Sequence, residues 1–434
     1  MSQRSRDLTE QALARIAAID HKGDGEGARA CLSVYADAAR SAADAADARR
    51  KAGQVLGPLD GVVITIKDLF DVQGEVTRAG AAVLARIGAK ATADAPAVAR
   101  LRAAGAEIVA KTNMTEFAFS GVGLNPHFGT PGNPFDRARI PGGSSSGGAV
   151  ACAEGIGAIA IGTDTGGSTR IPAALCGLTG WKPTARRIPL TGVHPLSPSL
   201  DSIGAMARSV AECAIADAVL AAESCEPLVP AELRALRIGM LQGTVLSELD
   251  AHVAQRYQAA LQLLTAARCS DAISPALAHM DAVNQRGGLV PAEAYNIHRA
   301  LLAAHGEALD PFVRSRMLGG AALSAEDQRL NHEERARGIA AFDAMFEQHD
   351  VLVLPTTAIV APTFEELRDP ERLTAKNRLL LRNTSIANFF DLCAVSLPLL
   401  DGAALPCGLM LLGRSGADEQ LLRAAAAVES ALRA

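Results

Sequence analysis

The 434-residue chain lacks the features that mark several broad classes of protein. No apolar run approaches the ~20 residues that a membrane-spanning helix needs, so we expect no membrane partner. The first residues lead into a charged segment without the apolar region of a signal peptide, which predicts a cytoplasmic location. There is no internal repeat and no low-complexity tail, and a hydrophobic share of 49% is ample for a folded core.

Patterns for disulfides, metals and nucleic acid are also missing. The eight cysteines are scattered without a CxxC pair, which favours free thiols over a disulfide framework or a zinc site. No HExxH or comparable spacing of histidines occurs, so no metal site is predicted. Acidic and basic residues are mixed along a chain of net charge −5, which argues against nucleic acid as a direct partner.

What the chain does have is a glycine- and serine-rich stretch between Pro141 and Pro183. Two serines preceded by glycine, Ser144 and Ser168, lie 24 residues apart in it. Glycines let the backbone approach a ligand and leave N–H groups free, which is the raw material for an oxyanion hole beside a nucleophile. The apolar segment 149–161 predicts a buried helix followed by a buried strand, with each serine loop at a turn.

Three interpretations of this stretch compete before any family is considered. Residues 143–147 match the G-x-S-x-G elbow of α/β-hydrolases, but the preceding residues 133–140 are charged where that elbow needs a buried strand. No Gly-Lys-Ser/Thr follows the glycines, so the pattern of a phosphate-binding loop fails. A flexible linker is the third interpretation, and the apolar run 157–162 argues against it.

A lysine at the end of an apolar strand is the second notable feature. Residues 62–66 predict a buried strand, and Lys67, one of only seven lysines against thirty-five arginines, follows it. One interpretation is an ion pair with Asp68 or Asp71. The other is a buried amine whose pKa is lowered enough for its neutral form to act as a base, which requires both aspartates to point away.

Alternating strand and helix patterns predict an α/β fold. Besides 62–66, strands are predicted at 106–110, 236–241, 350–355, 383–390, 393–398 and 409–413. Helices are predicted over 7–52, 94–105, 210–222, most of 250–345, and 418–432, and a Pro-rich loop is predicted from 190 to the third of these helices.

The two serine motifs, their spacing and the Lys67 segment resemble the amidase signature family. The resemblance is carried by residues 162–172 (Gly-Thr-Asp-Thr-Gly-Gly-Ser-Thr-Arg-Ile-Pro) and 61–71, and it continues through 111–117, 125–131 and 176–183. Members of this family use a Ser–cis-Ser–Lys triad. The resemblance implies that Ser168 is the acyl-accepting nucleophile and Lys67 the base. It also implies that Ser144 is the bridging serine, after a cis peptide bond from Gly143.

The resemblance further implies the fold and the supporting residues. It implies one α/β/α domain over residues 1–434, with a mixed sheet and helices on both faces. The parts of this domain would be N-terminal helices at about 1–55, a signature core at about 56–225 and a variable helical pocket region at about 250–390.

The resemblance also implies which residues support the catalytic ones. The backbone N–H groups of Thr165, Gly166, Gly167 and Ser168 would form the oxyanion hole. Candidates for substrate binding or site support are Ser145, Asp164, Arg170 and Asn113. Of these, Arg170 could meet a substrate carboxylate or serve the structure. Cys176 has apolar neighbours that keep a thiol protonated, so it is not expected to be a nucleophile.

The implied activity is hydrolysis of a linear carboxylic amide or a related carbamate, with a small-molecule amide as partner and no metal or organic cofactor. Segments 285–345 and 355–390 would form the pocket walls, but their sequence does not identify the substrate. Two alternatives stay open. One is the glutaminase (A-type) subunit of a tRNA-dependent amidotransferase complex, and the other is a catalytically inactive binding protein on the same fold. A homodimer is allowed for.

Overall fold

The fold was taken from a computed structural model that describes residues 4–19, 25–402 and 404–433. The strands of these residues are β1 Cys31–Val34, β2 Val63–Lys67, β3 Glu107–Thr112, β4 Ile159–Asp164, β5 Thr179–Lys182, β6 Ser202–Ala207, β7 Arg237–Leu241, β8 Arg268–Ala272, β9 Val351–Pro355, β10 Cys393–Leu399 and β11 Cys407–Gly413. The helices are α1 Ser5–Ile19, α2 Glu26–Ala30, α3 Ala36–Lys51, α4 Ala82–Ile87, α5 Pro96–Ala103, α6 Ser146–Ala153, α7 Arg170–Leu175, α8 Val210–Ala221, α9 Ala251–Leu263, α10 Leu277–Gln285, α11 Leu289–His305, α12 Pro311–Gly319, α13 Ala325–Asp343, α14 Met345–Gln348, α15 Pro370–Phe389 and α16 Asp418–Arg433.

All the described strands belong to one mixed sheet, as predicted. Its order is β1-β3-β2-β4-β6-β5-β10-β11-β9-β7-β8. Strand β2 runs parallel to both β3 and β4, and β7 runs parallel to β8 and β9, whereas the pairs through β6, β5, β10 and β11 are antiparallel. Because β2 and β4 are parallel neighbours, their carboxyl ends meet at the same edge of the sheet.

Helices cover both faces of the sheet, and the alternation of side chains along β2 shows how. Ile64 and Ile66 lie in a core cluster with residues of α5 and α8, such as Val98 and Val210. Val63 points the other way, into a cluster with residues of α1, α3 and α6, such as Val150. Successive strand residues face opposite sides, so a strand buried on both sides reads as a continuous apolar run. That is the pattern from which this strand was predicted.

Some predicted elements are wrong. Strand β1 lies within the segment predicted as helical at 7–52, and β8 within the region predicted as mostly helical at 250–345. Both are short strands at the two ends of the sheet, each formed by pairing with one distant strand, which local periodicity does not reveal. Strand β6 falls in the predicted Pro-rich loop, and it is made largely of small residues that pair between β4 and β5.

The strand predicted at 383–390 is also wrong, since these residues form the end of α15. The helix starts with Pro370 at its first position and with the Asp369 carboxylate accepting from the N–H groups of Glu371 and Arg372. Its last turns carry polar residues that are fully buried, because they hydrogen-bond to the loop that follows β4.

All eight cysteines are free thiols. In the ranges described above, no helix combines the length and the apolarity needed to cross a membrane.

Candidate active site

The three predicted catalytic residues converge at the carboxyl end of β2 and β4. Lys67 is the last residue of β2, Ser144 lies in the loop before α6, and Ser168 lies between β4 and α7. The Nζ atom of Lys67 is 2.7 Å from Ser144 Oγ and 3.1 Å from Oγ1 of Thr163 on β4. The Gly143–Ser144 peptide bond is cis, as the family resemblance predicted.

The amine of Lys67 lies in a fully buried position. Burial lowers its pKa to about 7, and the charges of Asp164 and Asp201 only partly oppose this shift. The two neighbouring aspartates point away from Lys67. Asp68 forms an ion pair with the Arg78 guanidinium, and Asp71 accepts a hydrogen bond from the Thr77 hydroxyl. The amine is therefore available in its neutral form near neutral pH, as the second interpretation of the sequence required.

Ser168 faces a cavity rather than the protein interior. It lines this cavity together with Thr165 and Gly166, and its side chain accepts or donates no hydrogen bond within the described part of the chain. Its hydroxyl therefore makes no hydrogen bond with Ser144 here. Hydrogen bonds between catalytic groups commonly shorten only when substrate binds. The lack of a hydrogen bond between Ser168 and Ser144 is therefore compatible with the predicted roles of both serines.

The backbone donors beside Ser168 are not all free. The N–H of Gly167 donates to Asp164 Oδ1 at 2.8 Å, so this group cannot also hold an oxyanion, contrary to the prediction. The N–H groups of Thr165, Gly166 and Ser168 have no acceptor among the residues described. Unpaired N–H groups that border a cavity are suited to bind developing negative charge, and these three are the remaining candidates.

Asp164 and Arg170 form a buried ion pair that supports this loop. The guanidinium donates to both carboxylate oxygens at 2.8 and 3.0 Å, to the Thr384 carbonyl at 2.8 Å and to Asn388 Oδ1 at 2.7 Å. Burial favours the neutral acid, but Arg170, aided by Lys182 and Asn388, holds the pKa of Asp164 well below its ordinary value. Arg170 is fully buried with its donors engaged, which favours the structural one of its two predicted roles over contact with a substrate carboxylate.

The other two candidates lie behind the site, and neither lines the cavity. Asn113 donates to the carbonyls of Arg29 and Gly129, and its own carbonyl accepts from Gly147 in the first turn of α6. It thus fixes the loop that carries Ser144. Ser145 is buried, and its hydroxyl has no hydrogen-bond partner among the described residues. It packs against Gly162, where an added Cβ would come within 2.7 Å of Ser145 Oγ.

Cys176 has the surroundings that the sequence predicted. Its thiol is buried, donates to the Pro141 carbonyl and has a pKa raised by desolvation, so it is held in the protonated form. Within the described ranges, no three His, Cys, Asp or Glu side chains lie close enough together to hold a metal ion.

The cavity beside Ser168 has a volume of about 240 Å³ and mostly apolar walls. Residues 287–291 and four residues of the segment 381–389 line it, as expected for parts of the predicted pocket regions, and residues 118–120, 196, 200, 280, 283 and 284 line it as well. Sequence reasoning missed residues 118–120, 196 and 200, and it singled out neither Arg316, which lies in the predicted segment 285–345, nor Asp201. Arg316 of α12 lines the cavity, and buried Asp201 accepts from the Thr165 hydroxyl at 2.6 Å. No local pattern singles out either residue, because each acquires its setting from a distant segment.

The chain is similar to known proteins over nearly its whole length. A family model described as Amidase matches residues 7–422. The chain is 35% identical over 435 residues to 2-amino-5-chloromuconic acid deaminase of Comamonas testosteroni, covering 98% of this chain and 94% of the relative. It is 37% identical over 458 residues to the A-type subunit of glutamyl-tRNA(Gln) amidotransferase from Roseiflexus sp. (strain RS-1), covering 96% and 91%.

A solved structure agrees with these sequence matches. A protein described as an amidase superposes with a TM-score of 0.87 at 33% identity, covering 99% of this chain and 96% of the other. The similarity extends through the N-terminal helices and the pocket-forming segments as well as the serine motifs.

Proposed function

The chain belongs to the amidase signature family, and on that premise we propose that it hydrolyses linear carboxylic amides, or related carbamates, through an acyl-enzyme on Ser168. One observation carries the proposal. A buried lysine with a pKa near 7 contacts Ser144 beside a serine that faces a cavity bordered by unpaired N–H groups. These are the parts that acyl transfer needs: a base, a nucleophile and donors for an oxyanion.

In the proposed reaction the Ser168 Oγ attacks the carbonyl carbon of the amide. The proton of Ser168 passes to Ser144 Oγ, whose own proton passes to Lys67 Nζ. The carbonyl oxygen becomes an oxyanion that the N–H groups of Thr165, Gly166 and Ser168 stabilise. When the tetrahedral intermediate collapses, the C–N bond breaks and the relay returns the proton to the leaving ammonia or amine. Water then attacks the ester by the same route and releases the acid.

The buried charges around Lys67 fit a base that must both accept and return a proton. Desolvation keeps the amine neutral before the reaction, whereas the negative charges of Asp164 and Asp201 favour the protonated form that the reaction creates. A base whose pKa lies near the working pH can perform both transfers.

A second candidate comes from the relative that is one part of an amidotransferase. On that account the chain would release ammonia from glutamine and pass it to partner subunits. Such an enzyme should need those partners for full activity, and gel filtration and glutamine hydrolysis with and without them would separate the two functions. An inactive binding protein is disfavoured by the intact set of Lys67, Ser144 and Ser168.

The proposal is tested with the purified chain alone, in the presence of a chelator, on a panel of small aliphatic, aromatic and dicarboxylic amides and carbamates. We expect release of ammonia or an amine from at least one of them. Ser168→Ala should reduce turnover to background and Lys67→Ala nearly as far, while Ser144→Ala should be milder because a water can pass the proton.

Two controls accompany these variants. Cys176→Ala should retain activity, since its thiol lies outside the relay. Lys67→Ala combined with Ser144→Ala should be little worse than Lys67→Ala alone, because residues of one relay act as a unit. Loss of wild-type activity to the chelator, with recovery on adding zinc, would contradict the proposal.

A further inference from the structure

One cation in the catalytic cavity lacks a partner in the part of the chain that the structure describes. Arg316 of α12 lines the cavity that contains Ser168, and its Nε atom is buried without a hydrogen bond. Within residues 4–19, 25–402 and 404–433, no carboxylate forms an ion pair with its guanidinium and no oxygen accepts from it. Its neighbours are aromatic: the guanidinium carbon lies 4.5 Å from the ring centre of Phe119 and 5.7 Å from that of Phe312.

Two other arginines that could be compared with Arg316 already have partners. Arg314, two residues earlier on the same helix, pairs with Glu307 at 2.5 Å. Arg170, which the sequence offered as a carboxylate receptor, is occupied by Asp164 and by carbonyl groups. Arg316 is half-buried, and a charge with little access to water is unfavourable without a partner unless a ligand compensates it. Stacking on Phe119 supplies only part of that compensation.

The guanidinium also stays charged. Burial lowers the pKa of Arg316 only to about 10, so a positive charge remains at neutral pH. The rest of the cavity wall is made of apolar side chains and of neutral polar ones such as Ser120, Asn284 and Ser385. The cavity therefore presents one positive charge, on an otherwise neutral surface, to whatever amide reaches Ser168.

We propose that Arg316 binds a carboxylate of the substrate, so that the cavity selects amides that carry a carboxylate group. This inference rests on the proposed function and names its substrate class. A planar guanidinium can hold a carboxylate by two parallel hydrogen bonds, which fixes the orientation as well as the charge of the ligand.

The same cavity wall disfavours substrates that carry an ammonium group. No Asp or Glu is among the described residues that line the cavity, so an ammonium group on the substrate would lack a carboxylate partner there. The preferred substrate is therefore the monoamide of a dicarboxylic acid, without the α-amino group of glutamine or asparagine. This preference separates the chain from a glutaminase.

The test compares kcat/KM for matched amides. The probes are the monoamides of succinate and glutarate, the neutral amides butanamide and pentanamide, and the amino acids asparagine and glutamine. Wild type should favour a monoamide by at least about tenfold over both its neutral and its amino-acid counterpart. Arg316→Met should lower kcat/KM for that monoamide by about 10–100-fold, as expected for a charge-assisted hydrogen bond, and the preference should collapse. Arg314→Met, on the same helix, should keep the preference.

A binding measurement separates this inference from the proposed function. Calorimetry is performed with succinate and glutarate on Ser168→Ala and on the same protein carrying Arg316→Met. We expect at least about tenfold weaker binding in the second variant. If wild type hydrolyses none of the amides, the proposed function fails, while this measurement still decides the role of Arg316. Equal binding by both variants, or wild-type turnover of pentanamide as fast as of its carboxylated counterpart, would overturn the inference.

Discussion

Lys67 shows how one residue acquires its chemistry from its setting. The sequence places it at the end of an apolar strand, and the fold then removes water from the amine and turns Asp68 and Asp71 to other partners. Desolvation disfavours the charged form of an amine, which is why its pKa falls to about 7. A lysine on the surface would be almost wholly protonated at neutral pH and could not serve as a base.

The pH dependence of activity should report this shift. The neutral amine is the active form, so kcat/KM should rise as pH increases through about 7 and level off above it, well below the ~10.4 of a free lysine. Lys182 is the matched control, because it is also buried and its pKa is lowered to about 8. A folded Lys182→Met variant should keep the rise near pH 7. A rise in kcat/KM centred near pH 10 in wild type would contradict the assignment of Lys67 as the base. So would a rise near pH 7 that is present in wild type and lost in the folded Lys182→Met variant.

Among single residues, the sequence predicted those that a short local motif marks. Ser144, Ser168 and Lys67 stand next to glycines or at the end of a strand, and the fold brings Lys67 to Ser144 as the resemblance implied. Arg316 is one of thirty-five arginines, on a helix without a motif. What distinguishes it is that it lines the cavity without a partner among the described residues, which no linear pattern records.

Among the elements, the loop between β4 and α7 depends on a helix more than 200 residues away. The Gly166 carbonyl accepts from the Thr384 hydroxyl at 2.6 Å, and Arg170 donates to the Thr384 carbonyl, so the end of α15 holds both sides of the loop. Gly167 has a φ of 135°, and an added Cβ would collide with Thr384 Oγ1. The loop therefore needs glycine at this position both for its backbone angle and for contact with α15.

Removing the arginine of this loop should destabilise the fold. Arg170→Met leaves the Asp164 carboxylate buried without its charge partner and should lower the free energy of unfolding by about 3–5 kcal/mol, the usual effect of breaking a buried pair from one side. The measurement is urea unfolding followed by circular dichroism. Arg329→Met is the control, because it removes a solvent-exposed pair with Glu326 and should leave the midpoint unchanged. Equal midpoints for the Arg170 variant and wild type would show that this pair does not hold the loop.

The predicted strands and helices are right where a segment is apolar along its whole length. They are wrong where pairing with another strand, or buried polar side chains, determine the structure of the segment. The central strands at 62–66, 350–355 and 409–413 are long apolar runs, and all three are confirmed. Strands β1 and β8 exist because a distant strand pairs with them. The end of α15 was mistaken for a strand because its buried polar residues, which serve the loop after β4, hide the helical periodicity.

At the scale of the whole molecule, the order of the strands explains why the site forms. The fold also explains why the sequence alone does not show the shape and charge of the cavity. The predicted triad depends on β2 and β4 being parallel neighbours, an arrangement that β-strand patterns alone do not establish. The cavity is assembled from segments near residues 119, 198, 285, 316 and 385. Each segment is ordinary in sequence, so the shape and charge of the cavity appear only when the chain folds.

The claim on which the account depends is that Ser168 carries the acyl group. The most direct measurement is to quench the enzyme with acid during turnover of its best amide substrate and to locate the added acyl mass by peptide mass spectrometry. We predict the acyl group on Ser168, and no adduct with a folded Ser168→Ala variant, whose turnover should be at background. An acyl group on Ser144 or Cys176, or wild-type turnover by the Ser168→Ala variant, would contradict the account.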